Sequence, residues 1–113
     1  MYRSFFVVGI GRKLLLACAF SFLWSVSARA DESASLFKTK CAACHGPDGA
    51  GTAVGIKLET HDLRSADVQK MSDDDLAGII GKGKNKMPGY EKTLKAAQIK
   101  GLVTFTRSFA EKK

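Results

Sequence analysis

Two thiols three residues apart, followed at once by an imidazole, form the most reactive grouping in this chain: Cys41-Ala42-Ala43-Cys44-His45. The spacing suits one chemistry closely. Thiols at i and i+3 can each reach one vinyl group of a single haem and form thioether bonds. The histidine that follows then lies under the iron and supplies the proximal nitrogen. Three other uses of the same residues are weaker. A disulfide between Cys41 and Cys44 would close a tiny loop and stabilise little. A thioredoxin-like redox pair needs a βαβ setting, which this chain lacks. A structural zinc site needs about four ligands, whereas the chain beyond residue 30 offers only Cys41, Cys44, His45 and His61.

A haem iron held by one histidine has a second axial position. Met87, in Asn85-Lys86-Met87-Pro88-Gly89-Tyr90, lies 42 residues after His45, so the chain can wrap the haem before reaching it. Pro88 stiffens that stretch and restricts the backbone of Met87. The residues alone leave the assignment open, because filling a gap in the core is the usual work of a methionine. Met71 precedes a helix start and reads as core. His61, in His61-Asp62-Leu63-Arg64, is a rival ligand, although its polar surroundings suit a surface histidine better.

These residues must be positioned by helices, since no stretch alternates with period two. The first expected helix runs from about Ser33 to Cys41, capped by Asp31 or Ser33, with Leu36 and Phe37 as its apolar residues. The second runs from about Ser72 to Ile80. Ser72 is its N-cap, and Asp73, Asp74 and Asp75 favour the positive end of the helix dipole. Leu76, Ile79 and Ile80 share one face, and Gly81 and Gly83 stop it. The third runs from about Ala96 to Ala110, with Ile99, Leu102, Val103 and Thr106 on one stripe and Phe105 and Phe109 beside it. Gly46 to Gly55 reads as a glycine-rich loop, and Gly83 to Tyr90 as another, broken by Pro88 and Gly89. The expected class is all-α.

Residues 1–30 read as a cleaved signal peptide and 31–113 as the single domain. Arg3, Arg12 and Lys13 make a positive start, Leu14 to Val26 is apolar, and Ser27-Ala28-Arg29-Ala30 offers small residues at the cleavage site. The apolar run is shorter than the ~20 residues needed to span a bilayer. An uncleaved anchor is the rival reading, because Phe5 to Ile10 is also apolar. Leu15-Leu16-Ala17-Cys18 loosely resembles a lipoprotein site, but the apolar segment before it is too short. Removing residues 1–30 takes four basic residues and no acidic one, so the formal charge falls from +7 to +3. That is too mild to argue for a nucleic-acid partner. The remaining core is thin in large apolar residues, and a chain of this size needs a staple, which a covalently bound haem would supply.

Three blocks resemble small single-haem class I c-type cytochromes, especially the bacterial and cytochrome c6-like forms. Leu36-Phe37-Lys38-Thr39-Lys40 followed by Cys41-Ala42-Ala43-Cys44-His45-Gly46 is similar to the family's first helix and haem site. Met71 to Leu76, followed by Gly81 to Pro88, is similar to its penultimate helix and methionine loop, and Gln98 to Phe109 to its last helix. The resemblance implies the cytochrome c fold, with about three main helices around one covalently bound haem c and its iron. It implies that Met87 is the distal ligand opposite His45, and that the first and last helices cross with Phe37 against Phe105 and Leu102. The chain departs from the family in having Gly55-Ile56 where a proline often follows the glycine. It has no tryptophan after residue 30, leaving Tyr90, Arg64, a lysine or the backbone for the haem propionates. Lys95 stands where Thr or Ser usually caps the last helix, so that end is expected to fray.

The function expected from this reading is that of an exported, periplasmic single-haem electron carrier with no enzymatic activity of its own. Iron ligated on both faces leaves no open site for substrate and changes oxidation state with little rearrangement. Redox proteins are the expected partners, and Lys82, Lys84, Lys86, Lys92 and Lys95 could steer an acidic one. Stable membrane insertion is not expected. The alternatives are an electron-transfer subunit of a larger oxidoreductase, or a haem enzyme or sensor with an open sixth position.

Overall fold

The computed structural model describes residues 27–112. The basic start, the apolar run Leu14 to Val26 and Cys18 lie outside the described residues. Residues 27–40 form α1, an alanine-rich and serine-rich helix without glycine or proline. Five further helices follow: α2 Ala42–His45, α3 Ala53–Lys57, α4 Ala66–Gln69, α5 Asp73–Lys82 and α6 Ala96–Arg107, the last running into a 3-10 turn at Ser108–Lys112. Among the described residues there is no strand, only an isolated bridge between Lys84 and Met87. The all-α expectation holds.

The frame is the crossing of α1 and α6. Gly101 lets the two backbones approach, because a Cβ there would overlap the Ser33 hydroxyl oxygen. One turn along, Phe37 meets Phe105 at 5.0 Å and Phe109 at 5.2 Å between ring centroids, and Phe105 stands edge-on to Phe109 at 5.3 Å. Such tilted and T-shaped pairs add to the energy of burial. Phe37, Phe109, Leu94, Ile99 and Leu102 form the main core cluster. Val68, Leu76 and Val103 form a second one, against which Met71 packs, as expected of a core methionine.

The helix ends are set by side chains. Ser72 caps α5 by accepting a hydrogen bond from the Asp75 amide at 3.0 Å. Gly81 does not stop α5. It is buried inside the helix with Glu91 and Ile99 nearby, and Gly83, at φ 80°, ends it instead. The first helix also differs from expectation. It is already helical at residue 27, so Ser33 is no cap. Its side chain is buried at the crossing and donates back to the Arg29 carbonyl at 3.0 Å. The start of α6 does not rely on Lys95: the Lys95 amide donates to Gln98 Oε1 at 2.9 Å, one half of a capping box.

Two short helices lie between the first two expected ones, α3 overlapping the end of the glycine-rich loop and α4 in a stretch given no assignment from the sequence. Thr52 caps α3 and Ser65 caps α4, each accepting a hydrogen bond from the amide three residues on. Gln69 then ties α4 to α6, donating to the carbonyls of Leu63 at 2.7 Å and Thr106 at 3.0 Å. No helix among the described residues is long and apolar enough to cross a membrane.

Candidate haem-attachment site

Cys41, Cys44 and His45 lie on the kink where α1 gives way to α2. The helix ladder shifts there: the Cys44 amide bonds to the Cys41 carbonyl at 3.2 Å, and the His45 amide shares the same acceptor at 3.0 Å. Both thiols are free and half-buried. Burial pushes the Cys41 thiol above its ordinary pKa, with Lys40 opposing.

His45 is half-buried, and its Nδ1 is buried without a hydrogen-bond partner. Burial lowers its pKa, the adjacent backbone of His61 opposes the fall, and the charge of His61 adds to it. The neutral imidazole thereby favoured is the metal-ligating form. The His61 side chain itself is exposed.

The turn is braced from α3. Thr52 Oγ1 donates to the Ala43 carbonyl at 2.7 Å while accepting from the Gly55 amide at 3.0 Å, and the Thr52 amide donates to the Cys44 carbonyl at 3.0 Å. Gly55 rests directly on that carbonyl, and any Cβ there would overlap it. The glycine is therefore required by contact between backbones, and its role survives the replacement of the usual proline by Ile56. Beside this contact α3 and its C-cap expose Val54, Ile56 and Leu58, at 60%, 68% and 38% of their surface.

Met87 is half-buried in a tight two-residue turn. Its amide donates to the Lys84 carbonyl at 2.9 Å, and its carbonyl accepts from the Lys84 amide at 3.1 Å. Asn85 takes the left-handed conformation at φ 52°. The turn is locked to the end of α5, since a Cβ at Gly83 would come within 2.6 Å of the Met87 carbonyl oxygen. Tyr90 N and Glu91 N close the loop by donating to the Ile80 and Gly81 carbonyls, each at 3.0 Å. From there the Tyr90 hydroxyl reaches across to the Lys40 carbonyl at 3.1 Å. The Tyr90 pKa is raised, mainly by burial and further by the Cys41 and Cys44 thiols beside it. Of the expected propionate contacts, Tyr90 is thus engaged with Lys40. Arg64 is clamped by Asp62 through Nε at 3.0 Å and Nη2 at 2.9 Å.

This donor set fits a covalently attached haem. It offers two unpaired thiols in one turn, a buried histidine ring with a partnerless nitrogen, and exposed apolar side chains on the segment that abuts the turn. Sequence reasoning missed the brace from Thr52 and Gly55. The threonine, three residues before a glycine and just after the Gly49–Gly51 turn, was its one visible signal.

Comparison with known proteins agrees with the fold. Residues 28–105 match the family model described as cytochrome c oxidase, cbb3-type, subunit III. Among solved structures, the chain is similar to the KustC0563 c-type cytochrome, with 30% identity and a TM-score of 0.65, covering 68% of this chain and 95% of that one. It is equally similar to a tyrosine-to-phenylalanine mutant of Kustc0563, with 31% identity and a TM-score of 0.65, over 69% of this chain and 98% of that one. No curated protein matches. The chain belongs to the small class I c-type cytochromes, in the family of that model. Membership implies covalently bound haem c with its iron, and an electron-carrying role.

Proposed function

We propose that this chain is an exported, periplasmic one-electron carrier, made as a precursor whose residues 1–30 are removed as a signal peptide. It would hold a single haem c through Cys41 and Cys44, with His45 and Met87 as the residues that ligate its iron, and it is not itself an enzyme. The observation that carries the reading is the Cys41–His45 turn, with its free thiols and the partnerless Nδ1 of His45. When bound, the haem supplies the redox couple. The chain's own residues do the rest. Cys41 and Cys44 hold the ring, His45 offers a neutral nitrogen, and the methionine turn presents a thioether that favours the reduced state. The core cluster of Phe37 and Phe109 packs against Cys41 and Ala42 and so backs the attachment turn. Lys82, Lys84, Lys86, Lys92 and Lys95, which flank the methionine turn in sequence, are all exposed and would draw an acidic redox partner.

A second reading is supported by the family model's description as an oxidase subunit. In it the same chemistry serves as an electron-transfer subunit of a larger oxidoreductase. Co-purification of a tagged chain with a stable partner enzyme supports that assignment, and elution as a free small protein supports the carrier.

The deciding experiment is expression of the full precursor with a c-type maturation system, followed by spectra and intact mass of the periplasmic product. Covalent haem, low-spin bands and a weak far-red ferric band that vanishes in Met87→Ala are the expected results. A high-spin spectrum that shifts with carbon monoxide would replace this reading with an open-site enzyme or sensor. A product without covalent haem would sink the reading entirely.

A further inference from the structure

The two sides of the site are built differently. The cysteine–histidine turn belongs to α1 and α2 and is braced by α3, whereas the methionine turn is tied to α5 by Tyr90 N, Glu91 N and the glycine contacts. Among the described residues, one hydrogen bond joins the loop at residues 83–95 to the segment at residues 36–52: Tyr90 Oη to the Lys40 carbonyl at 3.1 Å, between residues 50 apart in sequence.

The acceptor is available for a structural reason. In an uninterrupted helix the Lys40 carbonyl would receive the Cys44 amide. At the kink that amide goes to Cys41 instead. The Tyr90 hydroxyl supplies the missing donor, one residue before the first thiol and three residues after Met87. Its ring packs on the main core cluster, so the hydroxyl is aimed by a held side chain.

We propose that Tyr90 is a positioning residue for the distal ligand: its hydroxyl, bonded to Lys40, sets the separation between the methionine turn and the haem-attachment turn and so keeps the Met87 sulfur on the iron. The inference rests on the reading of Met87 as the axial ligand. Holding such a ligand in place depends on the groups behind it.

The test uses the mature holoprotein in four forms: wild type, Tyr90→Phe, Met87→Ala and Gln98→Ala. Gln98→Ala is the structural control. It removes the bond that Gln98 Nε2 donates to Glu32 and the one that Gln98 Oε1 accepts from the Lys95 amide, loosening the contact of α6 with α1 away from the methionine turn. The readouts are the ferric far-red band and the affinity for added imidazole, a ligand that must displace Met87. Loss of one neutral hydrogen bond should tighten imidazole binding in Tyr90→Phe by about twofold to tenfold. The far-red band should persist but be bleached at lower imidazole, and Gln98→Ala should bind imidazole as wild type does.

Unchanged imidazole affinity in Tyr90→Phe, with the band abolished in Met87→Ala, would overturn the inference and leave Met87 as ligand. Equal tightening in Tyr90→Phe and Gln98→Ala would also overturn it, since general loosening would then account for the effect. A wild-type spectrum without the band, unaltered by Met87→Ala, would overturn the ligand assignment and the inference with it.

Discussion

Gly55 and Cys44 are packed backbone against backbone: a Cβ built at Gly55 would overlap the Cys44 carbonyl oxygen and lie 2.8 Å from its carbonyl carbon. Neither side of that contact can yield, because the carbonyl sits in the attachment turn and also receives the Thr52 amide. Gly55→Ala should therefore cost about 2–3 kcal/mol or more and lower the yield of haem-loaded protein. Gly78 is the contrasting case. Nothing lies within 4 Å of a Cβ placed there, inside α5. Gly78→Ala should stabilise the protein by about 0.5–1 kcal/mol, since it removes only flexibility of the unfolded chain. Denaturant unfolding of the two holoproteins checks both signs at once.

Phe109 is fully buried, and it touches Phe37, Phe105 and the flank of Gly49. Phe109→Ala should cost about 3–5 kcal/mol, and Phe109→Leu clearly less. Lys112 lies over the same ring, 5.2 Å from its centroid, but at the exposed end of the chain. Lys112→Ala should change stability by less than about 1 kcal/mol. A loss in Phe109→Ala no larger than that in Lys112→Ala would contradict the aromatic cluster as the centre of the core.

Arg107 illustrates which of its bonds count. Its Nη1 donates to the Gln69 carbonyl at 2.9 Å and its Nη2 to the Met71 carbonyl at 2.6 Å, satisfying the end of α4. It also pairs with Asp73 at 2.7 Å, but the Asp73 side chain is 76% exposed. An exposed pair of this kind contributes about 1 kcal/mol at most and is screened by salt. Asp73→Asn should therefore be nearly neutral, while Arg107→Ala should cost about 1–3 kcal/mol by leaving two carbonyls short of a donor. Lysine should rescue poorly, having no planar fork with which to reach both. The difference between the two variants should persist in high salt, and its disappearance there would assign the effect to the ion pair.

Ser72 offers the simplest check of a helix end. Its hydroxyl oxygen takes the Asp75 amide and sits before three aspartates in the first turn of α5. Ser72→Ala should cost about 1 kcal/mol, and Ser72→Asp should restore most of it. Thermal unfolding would resolve the pair, and equal melting points for Ser72→Ala and wild type would deny the cap.

Much of this was readable in the residues. The motif at Cys41–His45 is local, so its spacing carried its chemistry. Ser72 and the i, i+3, i+4 apolar pattern marked α5, and the α6 stripe was read correctly down to the buried Thr106. The meeting of Phe37 with Phe105 followed from resemblance, not from periodicity. What stayed hidden was hidden for physical reasons. α3 and α4 are only five and four residues long, too short for a periodic pattern, and they exist because Thr52 and Ser65 cap them, with α3 resting on the attachment turn and α4 tied to α6 through Gln69. Ser33 looked like a cap because serine usually is one. It is small and buried because a helix crosses there, which no local pattern encodes. Gly81 likewise read as a stop, yet it lies inside α5.

The crossing at Ser33 and Gly101 has a consequence for how the chain can be rebuilt. With Phe37 fixed against Phe105, the 67 residues between them form a closed loop. The entropy of closing such a loop rises only slowly, by about 0.6 kcal/mol for each doubling of its length. Insertions between α3 and α4, around residues 58–61, should thus be thermodynamically mild. Even one added residue between Gly83 and Tyr90 would break the register that ties the methionine turn to α5. The same ring of chain is elastic on one side of the site and metrically rigid on the other, so natural or engineered length variation should collect on the first side alone.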